Sequence, residues 1–138
     1  MFTLVDTNVL LDIITNDPEW SEWSTEALTR MGDESTLAIN PIIYAEVSIH
    51  LRTIEEMDDV VPDQHFRRLD LPYEAAFLAG KAFLAYRRRG GIRSNPLADF
   101  YIGAHAAVSE MRLLTRDARR YRTYFPTVPL IAPERATR

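Results

Sequence analysis

The chain has 138 residues, 46% hydrophobic and 26% charged, which is enough apolar material for one core, so a single domain over residues 1–138 is expected. It contains no cysteine; that excludes a disulfide framework and thiolate metal ligation, and leaves oxygen and imidazole as the only metal ligands. The net charge of −4 hides an asymmetry, because residues 1–70 carry 4 basic and 15 acidic side chains (−11) while residues 71–138 carry 12 and 5 (+7).

Residues 2–6 read as a short buried strand. No basic region precedes them and no run approaches the roughly 18 apolar residues of a membrane span, so a cytoplasmic protein with no membrane association is expected. Helices are expected over 8–14 and 19–31, and a second strand over 36–39. Asn40-Pro41 pairs an N-cap with proline at the first helical position and opens a helix to residue 51. A helix over 54–60 stops before Pro62, and 65–71 reads as a short strand. Pro72 starts a long helix to residue 88, with Ala76, Gly80 and Phe83 on one face. After a loop over 90–96, residues 97–109 read as helix, 112–115 as strand, 118–121 as a short helix and 128–131 as a last edge strand. Strands separated by helices imply an α/β fold, a three-layer α/β/α sandwich around a mostly parallel sheet.

In such sheets ligands bind beyond the carboxyl ends of the strands. Asp6 closes the first strand and Asp117 follows Leu113-Leu114-Thr115. Glu46 shares a helical face with Ile43, Val47 and His50, and Asp99 shares one with Ile102, Gly103 and Ala106, so both are expected to point inward. Taken singly, Asp6 and Asp117 also suit helix N-caps and Asp99 suits a first helical turn. Glu46 suits neither; in mid-helix it needs a partner, either an arginine from the basic half or a cation. Four acids at one sheet edge repel one another, and a divalent cation removes the conflict.

Of 16 basic residues only Lys81 is lysine. Arginines at 87, 88, 89, 93, 112, 116, 119, 120 and 122 suit bidentate phosphate contacts, while single members of such a series are ordinarily solvated surface. Gly90-Gly91, between Arg89 and Arg93, reads as a flexible basic loop. No Gly-rich phosphate loop is present, and His50, His65 and His105 have no serine motif to complete a triad; His105 reads as packed on its helix.

Val5-Asp6-Thr7-Asn8-Val9-Leu10-Leu11-Asp12 resembles the first acidic motif of the PIN-domain ribonucleases, among them the toxins of VapBC toxin–antitoxin pairs. Ile42-Ile43-Tyr44-Ala45-Glu46-Val47 resembles the second, the run Leu97 to Ala106 around Asp99 the third, and Leu114-Thr115-Arg116-Asp117 the fourth. Order and spacing agree along nearly the whole chain. The resemblance implies a PIN-like fold and a catalytic, metal-binding quartet of Asp6, Glu46, Asp99 and Asp117, with Asp117 its least constant member. It implies magnesium, with manganese as a substitute, and RNA as substrate. It also implies a VapB-like antitoxin, and a toxin homodimer whose interfaces would draw on apolar residues between Pro41 and Val60. Arg112 and Arg116 are expected to contact phosphate, and Thr115 and Asn8 to support substrate or the metal shell, while Asp12 is expected to be structural. The alternative is a catalytically silent binding module on the same fold.

Overall fold

The computed structural model describes residues 1–91 and 97–134. The chain runs β1 (Phe2–Val5), α1 (Thr7–Ile14), α2 (Ser21–Glu34), β2 (Thr36–Ile39), α3 (Pro41–Ser48) and α4 (Ile54–Val60). It continues through β3 (Arg67–Arg68), α5 (Tyr73–Arg88), α6 (Leu97–Val108), β4 (Arg112–Leu114), α7 (Arg119–Tyr124) and β5 (Leu130–Ile131). Among the described residues the sheet has five strands in the order β3-β2-β1-β4-β5, and every pairing is parallel.

Successive strand residues face opposite sides of a sheet. Leu4, Val5, Ala38, Ile39, Leu113 and Leu114 are all nearly inaccessible, so both faces are covered, as parallel sheets require. The strand order carries the consequence for function. From β1 the chain moves outward through β2 to β3, then returns across β1 to build β4 and β5 on the other side. The order therefore reverses between β1 and β4, and there a crevice opens beyond the carboxyl ends. The Asp6 N–H donates to the Leu114 carbonyl at 2.8 Å, tying the two strand ends together.

Asn40 caps α3 by accepting from the Ile43 N–H, with Pro41 at the first position. Its amide also meets His105 Nδ1 at 3.0 Å, so His105 is a core residue in its neutral form, its pKa lowered by burial. The buried stripe of α5 is Ala75, Ala79 and Ala82, displaced by one residue from the expected face; Gly80 is exposed. These small side chains bring α5 against α6. Gly103 of α6 does the same toward α7: a Cβ there would lie 2.4 and 2.5 Å from the Phe125 ring and 3.0 Å from Tyr121. Gly103→Ala is expected to cost about 2–3 kcal/mol through overpacking, read as a lower urea midpoint with an unchanged m-value; an unchanged midpoint would show that α7 has room to move.

The loop expected over 90–96, with Arg93 and Asn95-Pro96, lies mostly outside the described residues. Gly90 sits at φ +86, a conformation that side chains rarely adopt. Gly91 lies so close to the Tyr86 ring that a Cβ would meet it at 2.4 Å. Among the described residues, no helix is long and apolar enough to cross a membrane.

Candidate functional site

Asp6 is the N-cap of α1, its Oδ1 accepting from the Thr7 N–H at 2.7 Å. The cap explains only half of its carboxylate. Oδ2 accepts from the Thr115 hydroxyl at 2.8 Å, the Tyr121 hydroxyl at 2.9 Å and, more weakly, the Asn8 amide at 3.4 Å. With 4% exposure, its pKa rises from 3.8 to about 7; burial is the main cause and the nearby Asp99 charge the second, against the lowering effect of its hydrogen bonds.

Asp99, in the first turn of α6, is shifted up by burial, with the Arg120 cation opposing and Asp117 adding to the rise. Its side chain is 40% exposed, so it looks into the crevice and not into the core. Glu46 is half-buried between the fully buried Ile43 and Val47. Among the described residues its partner is the Thr7 hydroxyl and not an arginine; burial raises its pKa, the Thr7 bond opposes, and Asp99 adds to the rise. His50, expected on the same inward face, is exposed at the end of α3. Asp117 is exposed, its N–H donating to the Thr115 hydroxyl at 3.1 Å. Asp99 thus feels each of the other three acids.

Two clefts meet at these acids. One, of about 590 Å³, contains Asp6, Asp99 and Asp117 together with Arg89, Arg119 and Arg120. The other, of about 300 Å³, contains Asp6, Glu46 and Asp99 with Ile49 and His50. Asp6 and Asp99 belong to both. As the side chains stand, no three acidic or histidine groups among the described residues converge tightly enough to enclose an ion. The donor set is nonetheless all oxygen, and burial together with the Asp99 charge pushes the Asp6 carboxyl well above the usual carboxylate range. Such acids fit a hard divalent cation in charge and chemistry.

The residues expected to contact substrate fall in different places. Arg112 opens β4 at its amino end, in register with Thr3 and 3.7 Å from Glu34; it lies at the sheet edge opposite the acids. Arg116 donates through Nε and Nη2 to the two oxygens of Asp12, each at 2.9 Å, and lies over the Trp20 ring. Asp12 is 2% exposed and also accepts from Ser24, so this fork–carboxylate pair joins α1, α2 and the segment after β4. Asn8 and Thr115 serve Asp6. The Asn8 amide reaches Thr115 at 3.3 Å and its oxygen accepts from the Arg116 N–H at 3.1 Å.

Two residues take roles at the acids that the sequence did not suggest. Tyr121 holds Asp6, and its own pKa is pushed well above 10 by burial and then by Asp6, so it stays a donor. Arg120 meets Asp99 at 2.6 Å. Their one sequence signal is position: both fall three to four residues past Asp117, on the first turn of α7.

Comparisons with known proteins agree with this fold. A family model described as the PIN domain matches residues 3–126. Among solved structures, VapBC2 from Rickettsia felis, bound to a DNA fragment from its promoter, superposes with a TM-score of 0.73 at 19% identity, covering 97% of this chain and 100% of that one. DNA-bound VapBC from Salmonella typhimurium gives 0.70 at 21% identity, covering 96% and 98%. FitAcB from Neisseria gonorrhoeae gives 0.67 at 20% identity, covering 93% and 95%. No curated protein matches the chain significantly.

Proposed function

Because the chain belongs to the PIN domain family, we propose that it is a magnesium-dependent endoribonuclease, the toxin of a type II toxin–antitoxin pair, hydrolysing RNA phosphodiester bonds. The observation that carries this reading is the gathering of Asp6, Asp99 and Asp117 in one crevice, with Glu46 beside them, where the strand order reverses. Asp6, Glu46, Asp99 and Asp117 would hold the cation, magnesium or manganese. When bound, it supplies Lewis-acid polarisation of the phosphate and an activated water.

The remaining work falls to the chain's own groups. Thr115, Tyr121 and Asn8 fix the Asp6 carboxylate in one orientation. Arg89 and Arg119 line the groove and are exposed, so they replace Arg112 and Arg116 as phosphate contacts. Arg89 also lies over the Tyr124 ring at 5.6 Å, a pairing of cation and aromatic face that suits a single-stranded backbone with unstacked bases.

An antitoxin of the VapB kind is the proposed partner, supported by the solved toxin–antitoxin complexes of the same fold. Ile49 and Ile54, at the ends of α3 and α4, are 78% and 67% exposed. They and the outer face of α5, with Tyr73 and Phe77 at 92% and 69%, supply apolar surface for that partner and for a homodimer in the cytoplasm.

The test is cleavage of single-stranded RNA by the purified chain. Millimolar magnesium is expected to support cleavage and EDTA to abolish it. RNA binding should also weaken as salt is raised from about 50 to 200 mM, since phosphate contacts release counterions. Cleavage undiminished in EDTA overturns the metal reading; no cleavage of any RNA under either condition favours the catalytically silent binding module.

A further inference from the structure

Asp99 is the acid that the other three share, and it already has a cation. Arg120 Nη1 donates to Asp99 Oδ2 at 2.6 Å. The same guanidinium lies 5.4 Å from the centre of the Tyr86 ring and 5.8 Å from that of Phe100. Tyr86 lines the groove with Arg89 and Arg119. A guanidinium cannot leave a carboxylate by losing its proton, because arginine stays charged at any working pH. A divalent cation that takes Oδ2 of Asp99 therefore has to displace it.

We propose that Arg120 is an internal counter-ion of Asp99 that competes with the divalent cation, and that its displacement across the Tyr86 and Phe100 rings presents the guanidinium to a substrate phosphate. The inference rests on the metal-dependent reading above. The aromatic faces make the displacement feasible, because a cation leaving a carboxylate keeps a favourable contact on the ring quadrupoles. The groove beside them is where arginines already collect. Metal and RNA then reinforce each other's binding, since each is bound best by the state that the other favours, and such coupling is reciprocal. Without metal, the pair holds Asp99 neutralised and the groove short of one phosphate contact.

The experiment is a manganese titration, following free Mn2+ by its paramagnetic resonance signal, on the wild-type chain and on Arg120→Gln. The variant is expected to bind Mn2+ about three- to tenfold tighter, the order expected for removing a partly exposed, charge-assisted competitor. In parallel, a short single-stranded RNA with phosphorothioate linkages should bind the wild type several-fold tighter with Mn2+ than without it, and R120Q should lose that gain. Equal or weaker Mn2+ binding by R120Q overturns the counter-ion role, and an undiminished gain overturns the phosphate role. Absence of Mn2+ binding by both proteins overturns the metal reading itself. Should R120Q fail to fold, the wild type decides. Saturating Mg2+ must shift the Arg120 Nε–H resonance in a 15N spectrum, and an unmoved resonance overturns the proposal.

Discussion

Asp6→Asn is expected to lower magnesium-dependent RNA cleavage on the order of a thousandfold while leaving the fold intact. The two substituents are nearly isosteric, and asparagine is as good an N-cap as aspartate, so the bond from the Thr7 N–H at 2.7 Å survives. The amide would face the Thr115 and Tyr121 hydroxyls, now 2.8 and 2.9 Å from Oδ2, and a hydroxyl can turn from donor to acceptor. What disappears is one negative charge at the meeting point of both clefts. Preorganised electrostatic groups in such sites are worth about a hundred- to a thousandfold each, and Asp6 is asked both to hold the cation and to anchor the hydrogen-bond network around it. Initial rates with magnesium, alongside circular dichroism of the same samples, decide the matter. A variant that cleaves within tenfold of the wild type would remove Asp6 from the mechanism.

How much of this was legible in the sequence depends on whether a feature is local. Residues 36–39 and 54–60 have the expected bounds, because an apolar run and a following proline are local signals; the start of α4 is held by the Thr53 hydroxyl, which accepts from the Glu56 N–H. The strand expected over 65–71 shrinks to Arg67–Arg68, and that over 128–131 to Leu130–Ile131. Edge strands extend only as far as a neighbour supplies ladder partners, and short edges protect a sheet from pairing with other chains. The helix expected to reach residue 51 ends at Ser48, and nothing in its composition marks the stop.

The carboxylates divide along the same line. Strand ends and helical spacing pointed to all four positions, yet they could not tell buried Asp6 from exposed Asp117, because burial is decided by what the rest of the chain lays over each position. Arginines are the sharper case. Arg112, Arg116 and Arg120 are alike in sequence, but topology sends the first to the amino edge of the sheet. The second goes to Asp12, and only the third reaches the acids. The sequence established that the second half was basic; parallel pairing of β4 with β1 selected which cations face the crevice.

The metal-free protein is expected to lose stability as pH rises from about 4 to 7. Asp6 has a folded pKa of about 7 against an ordinary value of 3.8. Between those values the folded chain keeps a proton that the unfolded chain has released, so the folded state binds more protons and stability falls with increasing pH. The stabilising difference is fully present below the unfolded value and is lost through the folded one. At about 1.4 kcal/mol per pH unit this amounts to roughly 4 kcal/mol, of which about 3 kcal/mol falls between pH 5 and 8. For a domain of this length that corresponds to a fall of about 10 °C in melting temperature. Glu46 and Asp99, both shifted upward chiefly by burial, act in the same direction. Two additions should flatten the profile for different reasons. Asp6→Asn removes the titrating group, raising metal-free stability at pH 8. Magnesium favours the ionised form and binds only the folded chain, so its stabilisation grows with pH as Asp6 deprotonates. Urea unfolding in EDTA at pH 5 and pH 8, with and without the substitution, separates these effects. His105, kept neutral by burial, adds an opposite slope to both proteins and cancels in the comparison, so an Asp6→Asn variant with an unchanged slope would show that the Asp6 carboxyl does not titrate over that interval. If it is ionised throughout, the repulsion among the acids is relieved by Arg120 and the other arginines of the groove.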